Sequence, residues 1–263
     1  MAQHVEGPLY YERLGREGPV MAFIHPNPMD QSCWLYQMAR FSTWYRCIAI
    51  DIPGYGRSPK ATAGLTMDDM AAACWEAIDD ALPKENAILV GCSVGSIIIP
   101  YMVHQRPAQT AAAILSGTGY NPNKDFAQHR IDGYTRDGVS HRWYYTFEDL
   151  SPAFRATPMA HYFAELFSER NDKADVATII HQFRALQAPY PPRHFEDIAC
   201  PSLILTGSED GAHQSAFPLA QRIPNCELNI LPGAGHACYI EQPWLFDRFM
   251  IEFLKKNGLF AGK

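Results

Sequence analysis

The segment Gly91-Cys92-Ser93-Val94-Gly95 directly follows the apolar run Ala87-Ile88-Leu89-Val90 and directly precedes residues of helical character. A strand that turns sharply into a helix leaves the side chain at its apex projecting, and flanking glycines remove the side chains that would clash in so tight a turn. Ser93 is thereby presented as a candidate nucleophile. The N–H groups that follow open a helix, have no intrahelical acceptor and carry the positive end of the helix dipole. The N–H of Val94 is therefore a candidate donor to an oxygen that gains negative charge. The competing reading of the same five residues is a glycine-rich turn with a capping serine.

A serine hydroxyl is a weak nucleophile at neutral pH and needs a base, which in turn needs an orienting acid. Two downstream segments supply such groups. After the apolar run Ser202-Leu203-Ile204-Leu205-Thr206 comes Gly207-Ser208-Glu209-Asp210, and after the run ending at Leu231 comes Pro232-Gly233-Ala234-Gly235-His236. Loops that follow strands of an open parallel sheet gather at its carboxyl edge, where Ser93 also lies. His236 is the candidate base and Asp210 the candidate orienting carboxylate, with Glu209 as the adjacent alternative.

Those positions require a particular set of elements. Val20 to His25, Cys47 to Asp51, Ala87 to Cys92, Ala111 to Ser116, Ser202 to Gly207 and Leu228 to Leu231 are short apolar runs bounded by Gly, Pro or polar residues. They lack period-two alternation, which fits strands buried on both faces of a mainly parallel sheet. Helical patterns span Asp30 to Phe41, Met67 to Leu82, Gly95 to Gln105, Ala216 to Arg222 and Pro243 to Lys256, with Thr66 and Asp69 as a capping box for the second. The expected class is α/β, a mainly parallel central sheet flanked by helices. From Tyr120 to about Phe195 the strand spacing stops and aromatic residues accumulate. The expected division is a core of residues 1–119 and 196–263, with 120–195 inserted as a helical cap.

These features together resemble the α/β-hydrolase family over nearly the whole chain. The order Ser, Asp, His matches that family, as do Asp51-Ile52-Pro53-Gly54-Tyr55-Gly56-Arg57-Ser58 and the Gly-x-x-Asp and Gly-x-Gly-His loops. The resemblance implies a helical cap after the sixth strand of the family, and its Gly-x-x-Asp spacing selects Asp210 over Glu209. Where the family usually carries His-Gly after its third strand, this chain has His25-Pro26-Asn27-Pro28-Met29. Proline has no N–H, so Asn27 remains as the main-chain donor that would complete an oxyanion hole with Val94. A similar His-Gly-Asn-Pro occurs in haloalkane dehalogenases, where the Asn side chain helps to bind halide, so a second donor from Asn27 is conceivable. Those enzymes need an aspartate nucleophile, which Ser93 replaces. The run Asp30-Gln31-Ser32-Cys33-Trp34 is similar to the strigolactone and karrikin receptor branch.

Composition narrows the partners. The formal charge of −6 and the absence of Lys and Arg clusters argue against a nucleic-acid surface. No segment reaches the roughly 18 consecutive apolar residues of a membrane span, and Met1 to Glu6 lack a signal-peptide pattern, so a cytoplasmic location is expected. Seven scattered cysteines fit reduced thiols rather than a disulfide framework. No metal or organic cofactor is called for. The expected partner is a small, largely apolar substrate, with monomer and homodimer both open. Met29, Tyr120, Trp143 and Tyr144 are candidate lining residues, and Arg130, Arg136 and Arg142 could bind a carboxylate. The expected reaction is hydrolysis of an ester or lactone through an acyl-enzyme. Carbon–carbon bond hydrolysis, cofactor-free perhydrolysis and slow-turnover ligand reception use the same parts.

Overall fold

The computed structural model describes residues 3–83, 85–141, 147, 149–170, 172 and 174–262. Seven strands form one sheet: β1 (Tyr11–Leu14), β2 (Val20–Ile24), β3 (Arg46–Ile50), β4 (Ala87–Cys92), β5 (Thr110–Ser116), β6 (Ser202–Gly207) and β7 (Cys226–Leu231). Their order across the sheet is β1-β3-β2-β4-β5-β6-β7. β1 runs antiparallel to β3 and every other neighbour is parallel.

Successive residues of the inner strands feed two different cores. Ala22, Ile24, Leu89 and Leu115 pack on one side with helices α2 (Met67–Ala81), α3 (Val94–Gln105) and α8 (His213–Arg222). Met21, Phe23, Val90 and Ile114 pack on the other with α1 (Leu35–Phe41), α9 (Cys238–Glu241) and α10 (Pro243–Lys256). Both faces are covered, so an alternating polar pattern would bury unpaired polar groups. β1 departs from the expected strand set because it is an edge strand, mostly exposed and carrying Glu12 and Arg13, a composition that blunts edge-to-edge pairing but erases the apolar signal.

Local chemistry sets the helix ends. Thr66 Oγ1 accepts from the Asp69 N–H at 3.1 Å while the Asp69 carboxylate accepts from the Thr66 N–H at 3.1 Å, the expected capping box. The helix expected from Asp30 opens instead as a tight turn over Gln31–Trp34, with Asp30 accepting from the Ser32 N–H, before α1 begins at Leu35.

Between β5 and β6 lie α4 (Asp125–Asp137), α5 (Pro152–Arg155), α6 (Pro158–Arg170) and α7 (Val176–Gln187). This insertion follows the fifth strand of the chain, not the sixth, because the family's third strand corresponds to β2 here. Ile131, Tyr134, Ile179 and Phe183 join the core shared with α2 and α3. Thr178 accepts the Ala61 N–H at 3.0 Å, which ties α7 to the segment after β3. All seven cysteines are free thiols. Among the described residues no helix is long and apolar enough to cross a membrane.

Candidate active site

Ser93 sits between β4 and α3 with φ 51° and ψ −117°, a conformation that costs a non-glycine residue about 1–3 kcal/mol. Its neighbours hold it there. The Ser93 N–H donates to Ser116 O at 2.9 Å, and Ser93 O accepts from the Ile97 N–H at 3.0 Å and from Ser96 Oγ at 2.6 Å. The flanking glycines are required by close approach. A Cβ on Gly95 would stand 2.2 Å from Ile24 O, and one on Gly91 would stand 2.6 Å from the carbonyl carbon of Gly95.

On the loops after β6 and β7, His236 Nδ1 lies 2.9 Å from Asp210 Oδ1. The Asp210 side chain is 1% exposed and also accepts the Ala212 N–H, whereas Glu209 is exposed. The His236 main chain is tied to the insertion: its N–H donates to Asp149 O at 2.8 Å, and the Glu241 carboxylate accepts from both the Gly235 and Ser151 N–H groups. Burial pushes the imidazole toward its neutral form, but the charge of Asp210 and its hydrogen bond outweigh that and raise the pKa from 6.5 to about 9. Burial likewise opposes ionisation of Asp210, yet His236 and the Ala212 N–H hold its carboxyl below the usual range. With Nδ1 committed to Asp210, Nε2 is the ring nitrogen left to exchange a proton.

The loop after β2 is fixed from several sides. His25 Nδ1 bonds Pro26 O at 2.9 Å and its Nε2 accepts the Ile52 N–H at 3.0 Å. The Asn27–Pro28 bond is cis. Asn27 Nδ2 donates to the Tyr134 hydroxyl at 2.8 Å and to the Tyr55 hydroxyl, so both amide hydrogens of the side chain are committed to tyrosines. The side-chain donor conceivable from the dehalogenase likeness is thus already taken. Among the described residues, no acceptor takes the main-chain N–H of Asn27 or of Val94.

Ser93, His236, Asp210, Asn27 and Val94 all line one cavity of about 310 Å³, at the small end of ligand pockets. Two of the candidate lining residues do not join them. Met29 is buried, its sulfur accepting from the Tyr239 hydroxyl at 3.1 Å, and it lines a separate small void shared with Asn27, Asp149 and His236. Tyr120 is held at Ser215 O through its N–H, and its ring lies 4.0 Å under the Arg222 guanidinium. Trp143, Tyr144 and Arg142 lie outside the described residues. Arg136 pairs with Asp137 on the surface, while Arg130 does line the cavity and pairs with Asp149 at 3.4 Å. The wall is mixed rather than largely apolar: Phe126, Phe183 and Tyr190 face it together with Asn121 and Ser215. A signal for part of this existed, since Phe126 and Arg130 are four residues apart and share one face of α4.

A mainly parallel sheet in this order, with Gly-x-Ser-x-Gly at the turn after β4, is the α/β-hydrolase fold. The chain belongs to the alpha/beta hydrolase family, whose model matches residues 21–245. Among curated relatives, the AB hydrolase superfamily protein YisY of Bacillus subtilis is 26% identical over 260 residues, covering 93% of this chain and 94% of the relative. Among solved structures, the enol-lactonase of Burkholderia xenovorans has a TM-score of 0.84 at 18% identity, covering 95% of this chain and 98% of that one. An esterase from Exiguobacterium antarcticum has a TM-score of 0.83 at 22% identity, covering 96% and 98%.

Proposed function

We propose that this hydrolase cleaves an ester or lactone bond of a small substrate through an acyl-enzyme on Ser93, under a lid formed by residues 120–195. One observation carries the reading: a serine held in a strained turn lines the same cavity as a histidine bonded to a buried carboxylate. His236 Nε2 takes the Ser93 proton as Oγ attacks the carbonyl carbon, and the carbonyl electron pair moves to oxygen. The main-chain N–H groups of Asn27 and Val94 donate to that oxyanion. Its collapse re-forms the carbonyl and expels the alcohol, which leaves with the proton from His236. Water then attacks the acyl-serine, giving a proton to His236, and a second collapse frees the acid while His236 returns that proton to Ser93 Oγ. Asp210 holds the imidazole in the tautomer that presents Nε2 and stabilises the imidazolium.

The reading accords with an esterase and an enol-lactonase among the structures that share the fold. It is tested with a chromogenic ester under single-turnover conditions. The expected result is a burst of alcohol in wild type and none in Ser93→Ala. Binding without turnover, seen as a ligand-dependent rise in Tm with no burst, would overturn it in favour of a receptor.

A further inference from the structure

Among the described residues the cavity wall carries two ion pairs, and the reaction just described uses one of them. Asp210 and His236 serve the chemistry. The other pair is Arg130, from α4, and Asp149, from the segment that leads into α5. Their side chains are 20% and 33% exposed, so both are partly withdrawn from bulk water while facing the space a substrate would fill. They also stand beside the base. The Asp149 carbonyl accepts the His236 N–H at 2.8 Å, and the charges of Asp149 and Arg130 act on the imidazole in opposite directions.

We infer that the Arg130–Asp149 pair selects a substrate bearing a neutral amide-type group, a carbonyl next to an N–H, close to its scissile bond. The inference rests on the hydrolase reading above. A substrate carboxylate would gain the Arg130 charge but lie against Asp149, and the like-charge repulsion offsets the attraction. A hydrocarbon end would leave both charges desolvated without new partners, the situation in which polar sites discriminate most strongly. An amide satisfies both at once: its oxygen accepts from the guanidinium and its N–H donates to the carboxylate, two charge-assisted hydrogen bonds. An amide can reach the pair from the cavity side, where both side chains contribute to the wall. Apolar Ile97, Phe126 and Phe183 line the same cavity and suit the rest of the acyl chain.

The test uses p-nitrophenyl esters whose acyl chains end in a carboxamide, a carboxylate or an isopropyl group, matched in length over a short series. In wild type the carboxamide ester should have the highest kcat/KM, by about tenfold or more over its isopropyl isostere at the best length. Arg130→Gln should collapse that ratio towards one, with Arg130→Lys intermediate because a point charge cannot reproduce the planar fork. Asp149→Asn removes the negative charge that repels an anionic group at this wall, and the carboxylate ester should then gain by about tenfold relative to the other two. The inference is overturned if wild type favours the isopropyl or carboxylate ester at every length. It is equally overturned if Arg130→Gln lowers all three esters by one common factor, which is the signature of a purely structural ion pair. Failure of wild type to release p-nitrophenol from any ester would instead remove the hydrolase reading on which the inference stands.

Discussion

Replacing Asp210 by Asn should move the pH dependence of Ser93 reactivity by more than two pH units toward acid. His236 is pulled from 6.5 to about 9 in the folded protein, a net roughly 3 kcal/mol in favour of the imidazolium. Burial works against that shift, so the carboxylate supplies more than the net. With an amide in its place, burial, the largest influence on the ring, pushes the imidazole below 6.5 against the smaller opposing pull of Asp149. Only neutral His236 can accept the serine proton, so the wild-type rate should climb as pH rises toward about 9 and then level. The variant should already be level above pH 6.5, at a plateau reduced by about 10³–10⁴-fold because Asn does not hold the productive tautomer. The assay is the rate of covalent labelling by a phosphonate probe as a function of pH. An unmoved or alkaline-shifted midpoint, or an undiminished plateau, would refute Asp210 as the orienting acid. Stability carries the same sign. A histidine with a raised folded pKa contributes fully below 6.5 and loses that contribution as pH rises through about 9. Urea unfolding of wild type should therefore show about 3 kcal/mol lost across that window from this group, and Asp210→Asn should not show it.

Tyr134→Phe removes one acceptor of the Asn27 amide and should lower kcat by about five- to tenfold while KM changes little, as measured by steady-state kinetics. A change confined to KM would contradict a role in positioning the Asn27 N–H. Gly95→Ala drives a Cβ to 2.2 Å from Ile24 O; it should destabilise by about 1–3 kcal/mol and cut Ser93 labelling by more than about 100-fold. Tm and labelling together check this, and normal labelling would show that the turn tolerates a methyl group. Asp51→Ala deprives the Gln31 and Arg57 N–H groups of their acceptor, now at 2.7 and 3.0 Å. Because burial raises the Asp51 pKa to about 6, removing its charge returns part of the cost, and a net loss of about 2 kcal/mol is expected in urea unfolding at pH 7.

Ser93, Asp210 and His236 were legible because each follows an apolar strand run within a few residues and is marked by glycine, so local pattern alone assigns them to one sheet edge. Their environment was not local. The hydrogen bond from Asn27 to Tyr134 joins residues 107 apart, and the Arg130–Asp149 pair depends on how α4 packs beside the segment before α5. Neither leaves a periodic trace. Met29 and Tyr120 show the converse limit, since closeness in sequence to the site says nothing of side-chain direction. Met29 is buried with its sulfur on the Tyr239 hydroxyl, and the Tyr120 ring lies under the Arg222 guanidinium. β1 was hidden by its own edge chemistry, while α2 was readable to within a residue because Thr66, Asp69 and Pro83 mark both its ends.

The central claim is that Ser93 is a nucleophile activated by His236. Its most direct measurement is labelling of the intact protein by an organophosphonate, with the modified residue located by mass spectrometry, in wild type, Ser93→Ala and His236→Ala at mildly alkaline pH. The account predicts one adduct, on Ser93, formed in wild type, absent in Ser93→Ala and slowed by about 10³-fold or more in His236→Ala. Wild type that stays unlabelled, or a His236→Ala variant labelled as fast as wild type, would contradict it.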